Sequence, residues 1–296
     1  TRKRKWTGRD TNKDSLKTMK YLSERLQRDI SVCKLCPVRC ILKNGDIGKC
    51  LYRHNNKGVI EPRNKYLLSS IAVEPIEKKP FFHFMPGSKT LSLSGQGCNL
   101  NCAMCENHVI SQIYRDQIGE VVKPKKIIEM AKSNGCDSVC MTYNEPTIML
   151  EFLMELGRAC RKNGIKFVIK TNAYINMEPW KQVCKVVDAM NIDFKGSGND
   201  FYETTGREDD YLFPSKVFTA VFGGVHVEMS IPIKHGFNNT RYFSVMDTLK
   251  ILNIDIPCHL LKINPAHNCI NAKTTTDEDI AFAKNLLSEF FSTIYV

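Results

Sequence analysis

The stretch GQGCNLNCAMCENH, Gly95 to His108, sets Cys98, Cys102 and Cys105 in a C-x3-C-x2-C spacing. Thiolates grouped this closely are ligands for soft metals. Four readings compete. A structural zinc takes four ligands, usually from paired C-x2-C units, and His108 is the neighbour able to complete the set. A ferredoxin-type cluster takes a fourth cysteine at fixed spacing. Plain buried thiols fit the habit of free cysteine to pack as a small hydrophobe, but the flanking Asn and Gly residues argue against it. The last reading is a four-iron cluster held by three thiolates, which leaves one iron open to a small-molecule ligand.

A second set, Cys33, Cys36, Cys40 and Cys50, has the spacing C-x2-C-x3-C-x9-C. Four thiolates close a tetrahedral site with no open corner, and NGDIG between the third and fourth supplies turn residues that fold the segment back. So short a piece cannot build its own hydrophobic core, so the expected role is structural. Zinc or a rubredoxin-like single iron is the first expectation, an auxiliary [4Fe-4S] cluster the second. Arg39, Arg53 and His54 nearby read as surface cations. The other six of the thirteen cysteines are dispersed. Cys140 and Cys160 sit in apolar periodic contexts and read as core, and Cys269 falls in a loop.

These groups must be positioned by elements. The chain has 296 residues, 43% hydrophobic and 25% charged, the composition of a globular enzyme. No apolar run reaches the ~20 residues that cross a bilayer, and the basic N-terminus lacks the apolar core of a secretory signal. The expected location is the cytoplasm, where clustered thiols favour metal over disulfides. The net charge is +11. Residues 1–32 form a basic lead-in, expected as a solvated tail followed by an amphipathic helix; a docking arm for an acidic partner or nucleic acid is the alternative. Residues 33–88 comprise the four-cysteine segment and a connector whose Pro75, Pro80 and Pro86 forbid a long helix. From residue 89 to 296, short apolar runs alternate with helix-period segments. Strands are expected at Thr90–Ser94, Ser138–Tyr143, Lys166–Thr171, Ala189–Phe194, His226–Ile233, Cys258–Ile263 and Ser292–Val296. Helices are expected at Pro124–Ser133, Thr147–Arg161, Thr240–Leu252 and Thr276–Ser288. The fold class is α/β, an open or partial (β/α)6 barrel. Reactive groups in such barrels gather at the C-terminal ends of the strands, where the Cys98 stretch lies. The apolar ending STIYV leads one to expect a further C-terminal piece.

C-x3-C-x2-C after the first barrel strand resembles the signature of the radical S-adenosylmethionine (SAM) superfamily. The resemblance implies a [4Fe-4S] cluster on Cys98, Cys102 and Cys105 whose open iron chelates the methionine part of SAM. The reduced cluster then splits SAM into methionine and a 5′-deoxyadenosyl radical. Met104 stands where the superfamily commonly has an aromatic residue beside the adenine. TYNEPT, Thr142 to Thr147, resembles the glycine-glycine-glutamate element with Asn144 in place of a glycine, so Glu145 is expected to face the SAM ammonium; an N-cap for the next helix is the competing reading. KTNAY ends the third strand and adds Thr171 and Asn172 to the expected cofactor contacts. NIDFKG, Asn191 to Gly196, resembles the Asp-x-Lys element of pyruvate formate-lyase activating enzyme. Asp193 and Lys195 share one face of their strand, with Lys195 expected at the SAM carboxylate and Asp193 at a polar edge of SAM or substrate. His259 resembles a histidine of those enzymes that approaches the cofactor; a satisfied core histidine is the competing reading. In order, CKLCPVRC, AVEPIEKKPFFHFMPGS, GCNLNCAMCEN, TYNEPTI and MNIDFKG are similar to the AmmeMemoRadiSam group, in which Gln usually stands at the place of Glu106.

The expected function is hydrogen abstraction from a peptide or protein, as in glycyl-radical activation, fed by a flavodoxin- or ferredoxin-like electron donor. Modification of RNA or a small molecule by the same cofactor, and a non-catalytic metal-binding module, are the alternatives.

Overall fold

The structure, a computed structural model, describes residues 22–113, 118–236 and 243–296. The small N-terminal part has a three-stranded antiparallel sheet, β1 (Ser23–Gln27), β2 (Ile30–Cys33) and β3 (Ile41–Lys43), followed by a hairpin of β4 (Arg53–Asn56) and β5 (Val59–Pro62). The helix expected in the lead-in is therefore corrected where it can be seen: Ser23–Gln27 is a strand, largely exposed and held by its pairing with β2. Residues 1–21 lie outside the described residues.

Two short strands, β6 (Leu67–Leu68) and β9 (Glu120–Val121), pair with each other. All the remaining strands join one eight-stranded sheet: β7 (Ser70–Pro75), β8 (Lys89–Ser94), β10 (Ser138–Met141), β11 (Lys166–Thr171), β12 (Ala189–Asp193), β13 (His226–Ile233), β14 (Cys258–Lys262) and β15 (Ile294–Tyr295). Its order is β15-β14-β13-β12-β11-β10-β8-β7; β8 to β15 run parallel, and β7, from the connector, adds antiparallel at the edge. The helices are α1 (His108–Ser111), α2 (Pro124–Ser133), α3 (Leu150–Lys162), α4 (Met177–Val186), α5 (Gly198–Thr205), α6 (Phe213–Phe222), α7 (Phe243–Ile251) and α8 (Asp277–Leu287). Pro124 opens α2 at the first turn, and a Thr276–Asp279 capping box opens α8. The start expected for α7 at residue 240 lies outside the described residues. Among the described residues no helix is long and apolar enough to cross a membrane.

Strand alternation gives the sheet two unlike faces. Leu91, Leu93, Val139, Phe167, Ile169, Met190, Ile192, Val227 and Met229 belong to the main apolar core with residues of α2, α3 and α4. The opposite face carries Thr90, Ser92, Lys170, Asn191, Asp193, Glu228, Ser230 and His259 on the same strands. A strap through residues 76–84 covers the N-terminal part of that polar face. Ile76 and Phe81, fully buried, pack on Cys140, Val168 and Ala189. Asn191 donates to the Pro80 carbonyl (2.8 Å), and the Phe82 and His83 amides each donate to Glu228 (3.0 Å). The C-terminal part of the face stays open, and a cavity of about 410 Å3 forms there.

Candidate active site

The cavity is lined by Cys98, Cys102, Met104 and Cys105 from the loop after β8, by Tyr143, Asn144 and Glu145 after β10, by Lys170, Thr171 and Asn172 of β11, and by Asp193 and Lys195 at the end of β12. The cysteine loop is held by its backbone, which leaves the sulfurs free. Asn144 accepts from the Gly95 amide (3.0 Å) and donates to the Gly97 carbonyl (3.0 Å). The Asn101 and Ala103 amides bond to Thr205 and Thr204 at the end of α5. Gln112 donates to the Cys102 carbonyl (2.9 Å), and Arg207 to the Asn99 carbonyl (2.9 Å). Burial pushes the Cys98 and Cys102 thiols up, and a soft cation that displaces their protons restores them as ligands.

Glu145 is 3% exposed. Its Oε1 accepts from the Thr147 amide (2.9 Å) and the Thr171 hydroxyl (2.7 Å), and Oε2 from the Asn172 amide (2.8 Å). It is thus the N-cap of the helical turn Pro146–Met149 as well as part of the cavity wall. Burial pushes its carboxyl up, against those hydrogen bonds. Asn172 also donates to Asn99 (3.1 Å) and faces the Cys98 sulfur at 3.7 Å, so Glu145 and the first cysteine are tied through one side chain.

Asp193 lies between two lysines, Lys170 Nζ at 2.6 Å and Lys195 Nζ at 3.2 Å. Burial raises the Asp193 carboxyl, but the two ammonium groups outweigh it and hold it low. Burial lowers Lys195, and the Asp193 charge more than reverses this. For Lys170 burial wins, and its ammonium is pushed down. Lys170 has no assigned role in the sequence reading. Its signal was the alternation of β11, which puts it two residues before Asn172 on the polar face and beside Asn191, to which it donates at 2.9 Å.

Tyr143 sits at φ +70° and Ala173 at φ +53°, both immediately beyond strand ends at the cavity. Left-handed backbone in a bulky residue marks a site where surroundings enforce the geometry. Tyr143 donates to Glu74 (2.5 Å) and accepts from Lys79 (2.9 Å). Lys78, Lys79, Lys234 and Lys262 complete a wall rich in cations.

Two expectations are corrected. His259 is not brought to the cavity. It lies 2% exposed under the strap, bonded to Glu228 at 2.7 Å and stacked on Tyr295; its place as the second residue of β14 puts it at the N-terminal end of the barrel. Arg53 is not a surface cation but 1% exposed, paired with Glu151. Cys33, Cys36, Cys40 and Cys50 line one small cavity with it. Cys140 and Cys160 are fully buried core, as expected, and Cys269 is half-buried.

The residues around the large cavity fit a cluster with SAM. Three sulfurs, no fourth thiol among the lining residues, a buried carboxylate and two cations face one space of adequate volume. Among the described residues no group of three or more Cys, His, Asp or Glu side chains is already drawn together as a closed metal site.

The Radical SAM superfamily profile matches residues 92–213. The chain is 34% identical over 276 residues to uncharacterized protein MJ0808 of Methanocaldococcus jannaschii, covering 90% of this chain and 80% of that one. It is 24% identical to the 4-hydroxyphenylacetate decarboxylase activating enzyme of Clostridioides difficile, covering 58% of this chain and 57% of the relative. The solved structure of native anSMEcpe with bound AdoMet matches with TM-score 0.50 at 15% identity, over 68% of this chain and 61% of that one, a likeness of fold. The chain spans less than two thirds of the length of these last two. With the three-cysteine loop, the parallel sheet and the full-length relative in agreement, this chain belongs to the radical SAM superfamily of enzymes.

Proposed function

We propose that this protein abstracts a hydrogen atom from a peptide or protein substrate, as in glycyl-radical activation or another carbon-centred modification. The observation that carries the reading is the convergence of three sulfurs, Glu145 and the Lys170–Asp193–Lys195 triad on one cavity at the C-terminal strand ends. When bound, the [4Fe-4S] cluster and SAM supply reductive cleavage to methionine and a 5′-deoxyadenosyl radical. This chain's residues bind, orient and shield. Cys98, Cys102 and Cys105 hold the cluster. Glu145, fixed by Thr171 and Asn172, offers a dry carboxylate to the SAM ammonium. Lys195, fixed by Asp193, offers a cation to the SAM carboxylate. Met104 and Asn144 complete the cofactor side, and the strap closes the barrel from below against water.

The printed role of the Clostridioides relative, an activating enzyme for a decarboxylase, supports a protein substrate. The excess of lysine over acid in the wall suits a segment that carries carboxylates. The same excess, with the net charge of +11, favours RNA as the second reading, for which binding must weaken steeply with salt. The four cysteines from Cys33 to Cys50 are read as a zinc or single-iron site, or an auxiliary [4Fe-4S] cluster. A flavodoxin- or ferredoxin-like donor and a cytoplasmic setting complete the proposal. Anaerobic reconstitution with iron and sulfide, then dithionite and SAM, tests it. 5′-Deoxyadenosine above the no-protein control is expected, and its absence removes the reading.

A further inference from the structure

Arg53 presents a problem that its one ion pair does not solve. Its Nη2 reaches Glu151 at 2.5 Å. Its Nε and Nη1 are buried and, among the described residues, have no hydrogen-bond partner. A guanidinium cannot shed its charge, and a buried donor without an acceptor is strongly disfavoured. The side chain lines the same cavity as Cys33, Cys36, Cys40 and Cys50, close enough to act electrostatically on the Cys33 and Cys50 sulfurs. Backbone amides face the sulfurs as well. Lys49 donates to Cys40 Sγ (3.4 Å), Leu35 to Cys33, Val38 to Cys36, and both Tyr52 and Arg53 to Cys50. Amide donors around every sulfur are what thiolates need and what neutral thiols do not.

The room inside differs from that at the SAM site. About 10 Å3 lies among the four thiols, against about 410 Å3 beside Cys98. The smaller figure is roughly one water-sized sphere.

We propose that Cys33, Cys36, Cys40 and Cys50 hold a single divalent metal ion as a tetrathiolate, and that Arg53 is the buried counter-charge of that dianionic centre. The inference rests on reading these cysteines as a metal site, and it fixes the nuclearity and the charge partner. On loading, the four thiols release their protons to solvent, the ion takes the four sulfurs, and the centre carries net charge −2. The two unpartnered N–H groups of Arg53 then have sulfur acceptors, while its third contact stays on Glu151. Asn99 lines the same small cavity, so the centre abuts the loop that carries the SAM cluster.

The test uses the full chain with Cys98→Ala, Cys102→Ala and Cys105→Ala together, which removes the SAM-cluster ligands. Titrated anaerobically with Co2+, it should bind one equivalent, with the visible d–d bands of tetrahedral cobalt and thiolate charge-transfer absorption. Arg53→Met in that background should weaken Co2+ binding by about tenfold or more, the usual effect of losing a partner of the ligands. Glu151→Gln, which leaves the guanidinium in place, should change it much less. Where Arg53→Met does not fold, Arg53→Lys keeps the charge but loses the forked donors, and it too must bind more weakly. No cobalt uptake, an octahedral spectrum, or unchanged affinity in the folded Arg53 variant overturns the proposal. Because the protein tested lacks the SAM cluster, the result stands apart from whether the wild-type protein cleaves SAM.

Discussion

Asp193 is the residue on which the polar half of the site turns. It neutralises two lysines at once, and Lys195 has no nearer acid. Asp193→Asn leaves two cations facing each other, so Lys195 should move and the SAM carboxylate should lose a fixed partner. We expect SAM binding to weaken by about tenfold or more, about 1.4 kcal/mol, read by equilibrium dialysis of reconstituted protein, with cluster content unchanged. Glu74 gives a pH signature on the cavity's other side. Burial raises its carboxyl, but hydrogen bonds from Lys78, Lys79 and Tyr143 outweigh this and hold it at about 2. A carboxyl depressed in the folded state contributes stability that is complete above its unfolded value and is lost as pH falls toward its folded one. Urea melts should therefore lose stability from about pH 4.5 down to about pH 2, and Glu74→Gln should flatten that slope. An equal slope in the variant would show that the Glu74 contacts do not form.

At the scale of elements, what could be read from the sequence was what period and punctuation encode. The bounds of β11, β13 and α2 coincide with the apolar runs and the opening Pro124, because strands buried on one face under helices must alternate strictly. The strand β1 was hidden because SERLQ is exposed and charged; only its pairing with β2 makes it a strand. Lys170 and Arg53 were missed for a related reason. Each is a cation whose burial depends on a partner distant in sequence, Asp193 or Glu151, and local pattern carries no trace of that. His259 was drawn toward the site by resemblance, while its depth along β14 decides for the floor of the barrel. The cysteine loop adds a prediction of its own. Gly97 has φ +89°, and a Cβ there would stand 2.2 Å from the Cys50 carbonyl oxygen. Gly97→Ala must break either the loop's backbone or its seat on the four-cysteine segment. We expect it to cost more than about 1–2 kcal/mol, the penalty of left-handed backbone alone, and to lower the iron content after reconstitution. Wild-type stability and iron content would contradict this packing.

The whole molecule joins a basic surface to a redox site. With a net charge of +11, the protein attracts acidic partners through a field that salt screens over about 10 Å at 0.1 M ionic strength. If a flavodoxin-like protein delivers the electron, 5′-deoxyadenosine formation with that donor should fall as salt rises, while formation with dithionite should change little. Equal salt response with both donors would remove charge steering from the account. All of it depends on an iron that no protein side chain occupies. The most direct measurement is electron–nuclear double resonance on the reduced, reconstituted protein with SAM labelled by 15N at its methionine nitrogen. The account predicts a nitrogen hyperfine coupling to the cluster that vanishes when Glu145→Ala weakens SAM binding. A cluster signal with no nitrogen coupling in the wild-type protein at saturating SAM would contradict it.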